Sequence, residues 1–191
     1  MLIIPVDADT ELRQLQESDA PALFLLVEHG RAYLREWLPW VDSTRTVEDT
    51  LEFVRVGTRQ WDLRNSFHAG IWHQGTITGV ISYNYLDWPQ HKTEIGYWLG
   101  QAFQRRGLMT SACRAMTSYA FDTLELERVD IYCSVENYKS RAIPERLGFK
   151  EEGVRPRMEW LHYRYVDCVL YSMAAAEWRK PAAPKETDTD S

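Results

Sequence analysis

The chain has 191 residues, of which 45% are hydrophobic and 26% charged, with a formal net charge of −6. That length and balance predict one globular domain with a full hydrophobic core. The acidic excess argues against nucleic-acid binding, which needs a basic field, and mildly favours a cationic partner; no apolar run is long enough for a membrane-spanning helix.

The start, Met1-Leu2-Ile3-Ile4-Pro5-Val6-Asp7, lacks the basic segment and long apolar stretch of a signal peptide. A cytoplasmic protein is therefore expected, with residues 1–9 as an N-terminal extension. Thr10 to Leu15 reads as a first strand. Ser18 and Pro21 mark a helix start, and Leu23, Leu26 and Val27 share one face of the helix that follows. Gly30 is expected to end it, with a second helical piece running to Trp37 before Pro39. Thr46-Val47-Glu48-Asp49 is a capping box with Asp as its fourth residue, opening a helix to about Leu63.

The period then changes from helical to alternating. Strands are expected at Phe67 to His73, Ile77 to Tyr85 and Thr93 to Leu99, with Gln74-Gly75 as a turn. Leu108, Ala112, Ala115, Met116 and Tyr119 recur at helical spacing, so a long helix runs from about Gly107 to Leu124. Val129 to Val135 is a strand, Ser140 to Leu147 a short helix, and the remainder to Met173 two strands. From Pro181 the chain is polar and Pro-rich, and residues 179–191 read as a disordered tail. The order predicts an α/β or α+β sandwich around a mixed sheet. Cys113, Cys133 and Cys168 are widely spaced and read as free core thiols; neither a disulfide framework nor a metal site is suggested, and the five histidines show no metal-ligand spacing.

Glu94 to Thr110 carries the strongest chemical signal. A strand ends, a short loop follows, and a helix begins at Gly107. A helix start presents backbone N–H groups without partners and favours negative charge, so a pyrophosphate fits there. Gly107 lets the backbone approach a ligand closely, and Arg105 and Arg106 add positive charge. The structural alternative is a strand-loop-helix turn with two solvated arginines.

Gln104-x-x-Gly107-x-Met109 resembles the Gln/Arg-x-x-Gly-x-Gly/Ala signature of the GNAT acetyltransferase superfamily, although Met109 stands where Gly or Ala is usual. Asn137-Tyr138-Lys139-Ser140, followed by Glu145-Arg146-Leu147-Gly148-Phe149, resembles a second element of that family at the expected distance. Trp37-Leu38-Pro39-Trp40 and Glu94-Ile95-Gly96-Tyr97-Trp98 are similar to the RimJ/RimL branch. The resemblance implies a domain over 10–178 with a mixed, mostly antiparallel seven-stranded sheet, a splayed central strand pair and about four helices. It implies acetyl-CoA as co-substrate, no metal, and a possible homodimer. Tyr97, Trp98, Leu99, Gln104, Arg105, Arg106, Gly107, Leu108, Met109, Thr110, Asn137 and Ser140 would bind the cofactor.

The implied reaction is direct attack by a primary amine, foremost the N-terminal α-amine of a ribosomal or other protein. A polyamine or aminoglycoside acceptor, or a non-catalytic acyl-CoA-binding module, are the alternatives. Attack needs a neutral amine, and Glu94 is the candidate base, against a strand carboxylate paired with Lys92 or an arginine. The family's usual tyrosine acid falls at Pro144, which leaves Ser140 as the donor to sulfur, against a simple helix cap. Trp37, Trp40, Tyr83, Tyr85 and Trp88 are candidates for the acceptor pocket, against ordinary core aromatics.

Overall fold

The computed structural model describes residues 1–180. Beyond residue 180, the expected tail lies outside the described residues. Arg179 is anchored, its guanidinium donating to the carbonyl of Phe121 at 2.7 Å.

Eight strands form one sheet: β1 (Ile3–Pro5), β2 (Thr10–Gln14), β3 (Phe67–His73), β4 (Thr76–Asp87), β5 (Lys92–Leu99), β6 (Arg128–Ser134), β7 (Lys150–Leu161) and β8 (Arg164–Ala174). Their spatial order is β1-β2-β3-β4-β5-β6-β8-β7. The strand beyond the seven expected is β1, within the N-terminal extension, which pairs antiparallel with β2. Ile4 is buried, and that apolar contact holds the short strand.

α1 (Ala20–Arg35) and α2 (Val47–Asp62) cover one face of the sheet. Gly30 does not end α1. Leu23, Val27, Gly30 and Leu34 form one buried stripe, and that packing outweighs the ~1 kcal/mol a mid-helix glycine costs. Thr46 and Asp49 form the expected capping box, with reciprocal bonds of 3.2 and 2.9 Å. α3 (Leu108–Asp122) packs on the other face, where Met109, Ala112, Cys113, Met116 and Ala120 meet Ile71, Ile81, Tyr83 and Ile95. Each large apolar side chain buried there contributes roughly 1.5–3 kcal/mol. α4 (Tyr138–Arg146) and the one-turn α5 (Ala175–Trp178) are the remaining helices of the described residues. Among the described residues, no helix is long and apolar enough to cross a membrane.

One feature of the sheet positions the site. All neighbouring strands are antiparallel except β5 and β6, which pair in parallel over three residue pairs, ending at Glu94↔Asp130. Beyond that point β5 stays with β4 as far as Gly79↔Leu99, while β6 stays with β8 as far as Ser134↔Cys168. A gap therefore opens after Glu94, and one backbone edge of Ile95 to Leu99 faces it.

Candidate active site

β5 ends at Leu99, and the loop after it contains two left-handed residues, Arg105 (φ 62°) and Gly107 (φ 77°). Gly107 is the cap of α3, and no side chain caps that helix. Ser111 is the first residue to bond back, to the carbonyl of Gly107 at 3.0 Å. The amides of Leu108, Met109 and Thr110 thus start the helix without a capping side chain. A Cβ built on Gly107 would meet nothing within 4 Å, so its space is open to a ligand and its φ suits glycine.

All twelve residues expected to bind the cofactor line one cavity of about 400 Å³ at this place. Its walls add Tyr33, Lys139 and Arg146, which the sequence reading did not single out. Among the described residues, four in the lining are cationic (Arg105, Arg106, Lys139, Arg146) and none is a carboxylate. The Gln104 Nε2 amide is buried with no partner among the described residues. An orphaned donor, an uncapped helix start and four cations together fit a bound diphosphate. Met109 does not spoil the fit: its side chain leaves the first turn of α3 on the buried face and packs in the core against the sheet.

A second cavity, about 850 Å³, shares Trp37, Leu38, Tyr97, Trp98, Asn137 and Ser140 with the first. The two meet at the gap in the sheet. Trp37 and Trp40 line the second cavity as expected, and Trp40 packs on Trp98 with ring centroids 5.6 Å apart. Tyr83 and Trp88 do not line it. Tyr83 is fully buried and donates to the carbonyl of Met116 at 2.6 Å; Trp88 donates its indole N–H to the carbonyl of Arg64 at 2.7 Å. Tyr85 also lies outside the cavity walls. For Tyr83 the cause is the alternation of β4: Tyr83 points to α3, so its neighbours Ser82 and Asn84 point to the cavity.

Those two polar residues hold Glu94. Ser82 Oγ donates to Asn84 Oδ1 at 2.9 Å, and Asn84 Nδ2 donates to Glu94 Oε1 at 2.7 Å. Gly96 makes room, because a Cβ there would fall 2.6 Å from Asn84 Oδ1. Among the described residues, neither Lys92 nor any arginine pairs with Glu94, whose side-chain partner is Asn84. Burial pushes its pKa up, the Asn84 bond opposes this, and Asp130 adds to the rise. Glu159, on β7, lines the same cavity and was not foreseen. Burial raises its pKa too, and the Glu94 charge raises it further.

Ser140 lies where the cavities join. It is not the cap of α4: Asn137 Oδ1 accepts from the Ser140 amide at 3.1 Å, and Ser140 sits in the first turn. Its hydroxyl is 3.3 Å from Cys133 Sγ. All three cysteines are free and buried. Cys113 is sealed in the core with its thiol pushed up to about 12, which removes it as a nucleophile. No cluster of three or more His, Cys, Asp or Glu residues fit for a metal exists among the described residues.

β7 reaches the second cavity, with Met158 and Glu159 on its wall. His162 Nδ1 lies 3.1 Å from Asp42 Oδ2, and its Nε2 lies 2.6 Å from the carbonyl oxygen of Arg35. This ties the strand bearing Met158 and Glu159 to the segment bearing Trp37 and Trp40.

Comparison with known proteins agrees with this geometry. Residues 9–150 match the acetyltransferase (GNAT) domain family. The Bacillus subtilis (strain 168) protein YdaF is 36% identical, over 93% of this chain and 98% of its own length. The ribosomal-protein-serine acetyltransferase of Escherichia coli (strain K12) is 31% identical, over 88% of this chain and 94% of its own. Among solved structures, RimL, the ribosomal L7/L12 alpha-N-protein acetyltransferase in complex with coenzyme A, superposes with a TM-score of 0.86 at 33% identity, covering 91% of this chain and 98% of RimL.

Proposed function

This chain belongs to the GNAT acetyltransferase family and uses acetyl-CoA, and from that premise we propose that its acceptor is the N-terminal α-amine of a ribosomal protein. The observation that carries the reading is the charge of the acceptor cavity. Asp49, Glu52, Glu94 and Glu159 line it, and among the described residues no lysine or arginine does. Such walls attract a cationic chain end and repel an acidic one. The base is a carboxylate, which removes a proton far more readily from an α-ammonium (pKa about 7.7–8.0) than from an amine near 10. That favours a protein N-terminus over a polyamine. The E. coli relative's serine acetylation of a ribosomal protein supports the same choice, and such an acceptor would place the enzyme in the cytoplasm.

Bound acetyl-CoA supplies the thioester carbonyl. The amides of Leu108 to Thr110, with Arg105 and Arg106, hold its diphosphate at the start of α3. The free edge of Tyr97 to Leu99 receives the pantetheine arm as an added strand, and a main-chain N–H there faces the carbonyl oxygen. Glu94, oriented by Asn84, takes the proton from the attacking amine, with Glu159 as the second carboxylate within the pocket. Ser140 offers its hydroxyl proton to the departing sulfur.

The test is a turnover assay with the purified chain, acetyl-CoA and a panel of ribosomal N-terminal peptides, polyamines and aminoglycosides. A peptide should exceed every small amine by about a hundredfold in kcat/KM. A small amine at the top of the ranking would overturn the acceptor. Tight acetyl-CoA binding with no turnover on any amine would make the chain a non-catalytic acyl-CoA-binding module.

A further inference from the structure

Ser140 opens a hydrogen-bond circuit set by Pro144. In a regular helix the Ser140 carbonyl accepts from the N–H four residues on. That residue is Pro144, inside α4, and it has no N–H. The released carbonyl accepts instead from the Tyr97 hydroxyl at 3.0 Å. The single phenolic proton is then committed, so towards the Ser140 hydroxyl Tyr97 can only accept. Ser140 Oγ donates to Tyr97 Oη at 3.4 Å. Cys133 Sγ, 3.3 Å from Ser140 Oγ and 3.8 Å from Tyr97 Oη, is left as the donor at the end of the chain.

We propose that Tyr97 is a positioning residue, locked by the carbonyl that Pro144 frees, which parks the Ser140 proton on a long and weak bond beside the gap. This rests on the reading of Ser140 as donor to the sulfur. The role is to make the transfer of that bond easy. Leaving Tyr97 sacrifices a neutral 3.4 Å contact, whereas donation to a developing thiolate forms a charge-assisted bond about twice as strong. The phenol does not ionise in competition, because burial holds its pKa well above the usual range. Tyr97 also holds the first turn of α4 to β5 across the gap, so that Ser140 Oγ keeps its place as the two strands diverge.

Tyr97→Phe removes the hydroxyl and keeps the ring and the β5 backbone. It should lower kcat about tenfold while leaving the Kd for acetyl-CoA within about twofold of wild type. Because Tyr97 acts through Ser140, the double variant with Ser140→Ala should be no slower than Ser140→Ala alone. Pro144→Ala returns an N–H to the Ser140 carbonyl, and should give a smaller loss confined to kcat. Losses of Tyr97→Phe and Ser140→Ala that multiply, or a wild-type kcat in Tyr97→Phe, would overturn the inference. If Ser140→Ala itself keeps a wild-type kcat, the donor reading fails first, which the single variant reveals separately. Should Tyr97→Phe fold poorly in thermal melts, Pro144→Ala decides: an unchanged kcat there rejects the circuit.

Discussion

Glu94 is held by neutral donors and buried walls, and this has opposite effects on activity and stability. Burial raises its folded-state pKa above the unfolded value, so the folded state binds its proton more tightly. The corresponding stability is present at low pH, below the unfolded pKa, and is lost as pH rises through the folded one. At neutral pH the fold carries the cost of a buried carboxylate. Glu94→Gln should therefore raise the Tm at neutral pH, with the difference shrinking as pH falls and vanishing only well below the unfolded value of about 4.3, where Glu94 is neutral in both states. The same variant should lower kcat by roughly 10²–10⁴ with little change in acetyl-CoA affinity. Thermal melts and rates measured across pH check both halves; a wild-type rate would transfer the base to Glu159. At this scale the sequence was a partial guide. Glu94 is identifiable from its place at the start of a strand that resembles a known family, but its partners are not. Asn84 and Ser82 were hidden because which face of β4 looks at the cavity is decided by packing against α3. Glu159 carried no local motif at all: β7 brings it to Glu94 only after the sheet is assembled.

The start of α3 shows how an element is legible from pattern alone. A strand, a glycine and an apolar helical repeat place an uncapped helix end, and the structure has it with Gly107 at φ 77°. Gly107→Val adds strain in the left-handed region, of order 1–2 kcal/mol, and puts a side chain where the ligand must come. Affinity for acetyl-CoA should fall at least about tenfold by calorimetry, a loss of ~1.4 kcal/mol. Affinity within twofold of wild type would remove the diphosphate from this site. α1 was misjudged for an equally physical reason. Gly30 looked like a stop signal, but the buried stripe through Leu34 continues past it. β1 was missed because three residues are too few to show a period, and only pairing with β2 reveals them.

Across the whole molecule, the gap between β5 and β6 could be inferred only from family resemblance, since no local pattern marks where two strands part. The hairpin contact is likewise a product of assembly, joining residues more than a hundred positions apart. His162 turns its two ring nitrogens towards two acceptors in the segment that flanks Trp37 and Trp40, the Arg35 carbonyl and an Asp42 carboxylate oxygen. His162→Ala should free that edge and raise the KM for the peptide about three- to tenfold, with the Kd for acetyl-CoA unchanged. Steady-state kinetics on both substrates separates these outcomes, and equal weakening of both would mean that the hairpin supports the fold and not the acceptor site.

The joined cavities also bear on the order of events. Each has its own charge, positive around Arg105 and Arg146 and negative around Glu94 and Glu159, and they touch only through a narrow set of shared side chains. Two reactants therefore have separate doorways and need not queue. Both can be seated at once, so direct attack within that assembly should give intersecting reciprocal plots, whereas parallel ones would signal a covalent acetyl-enzyme.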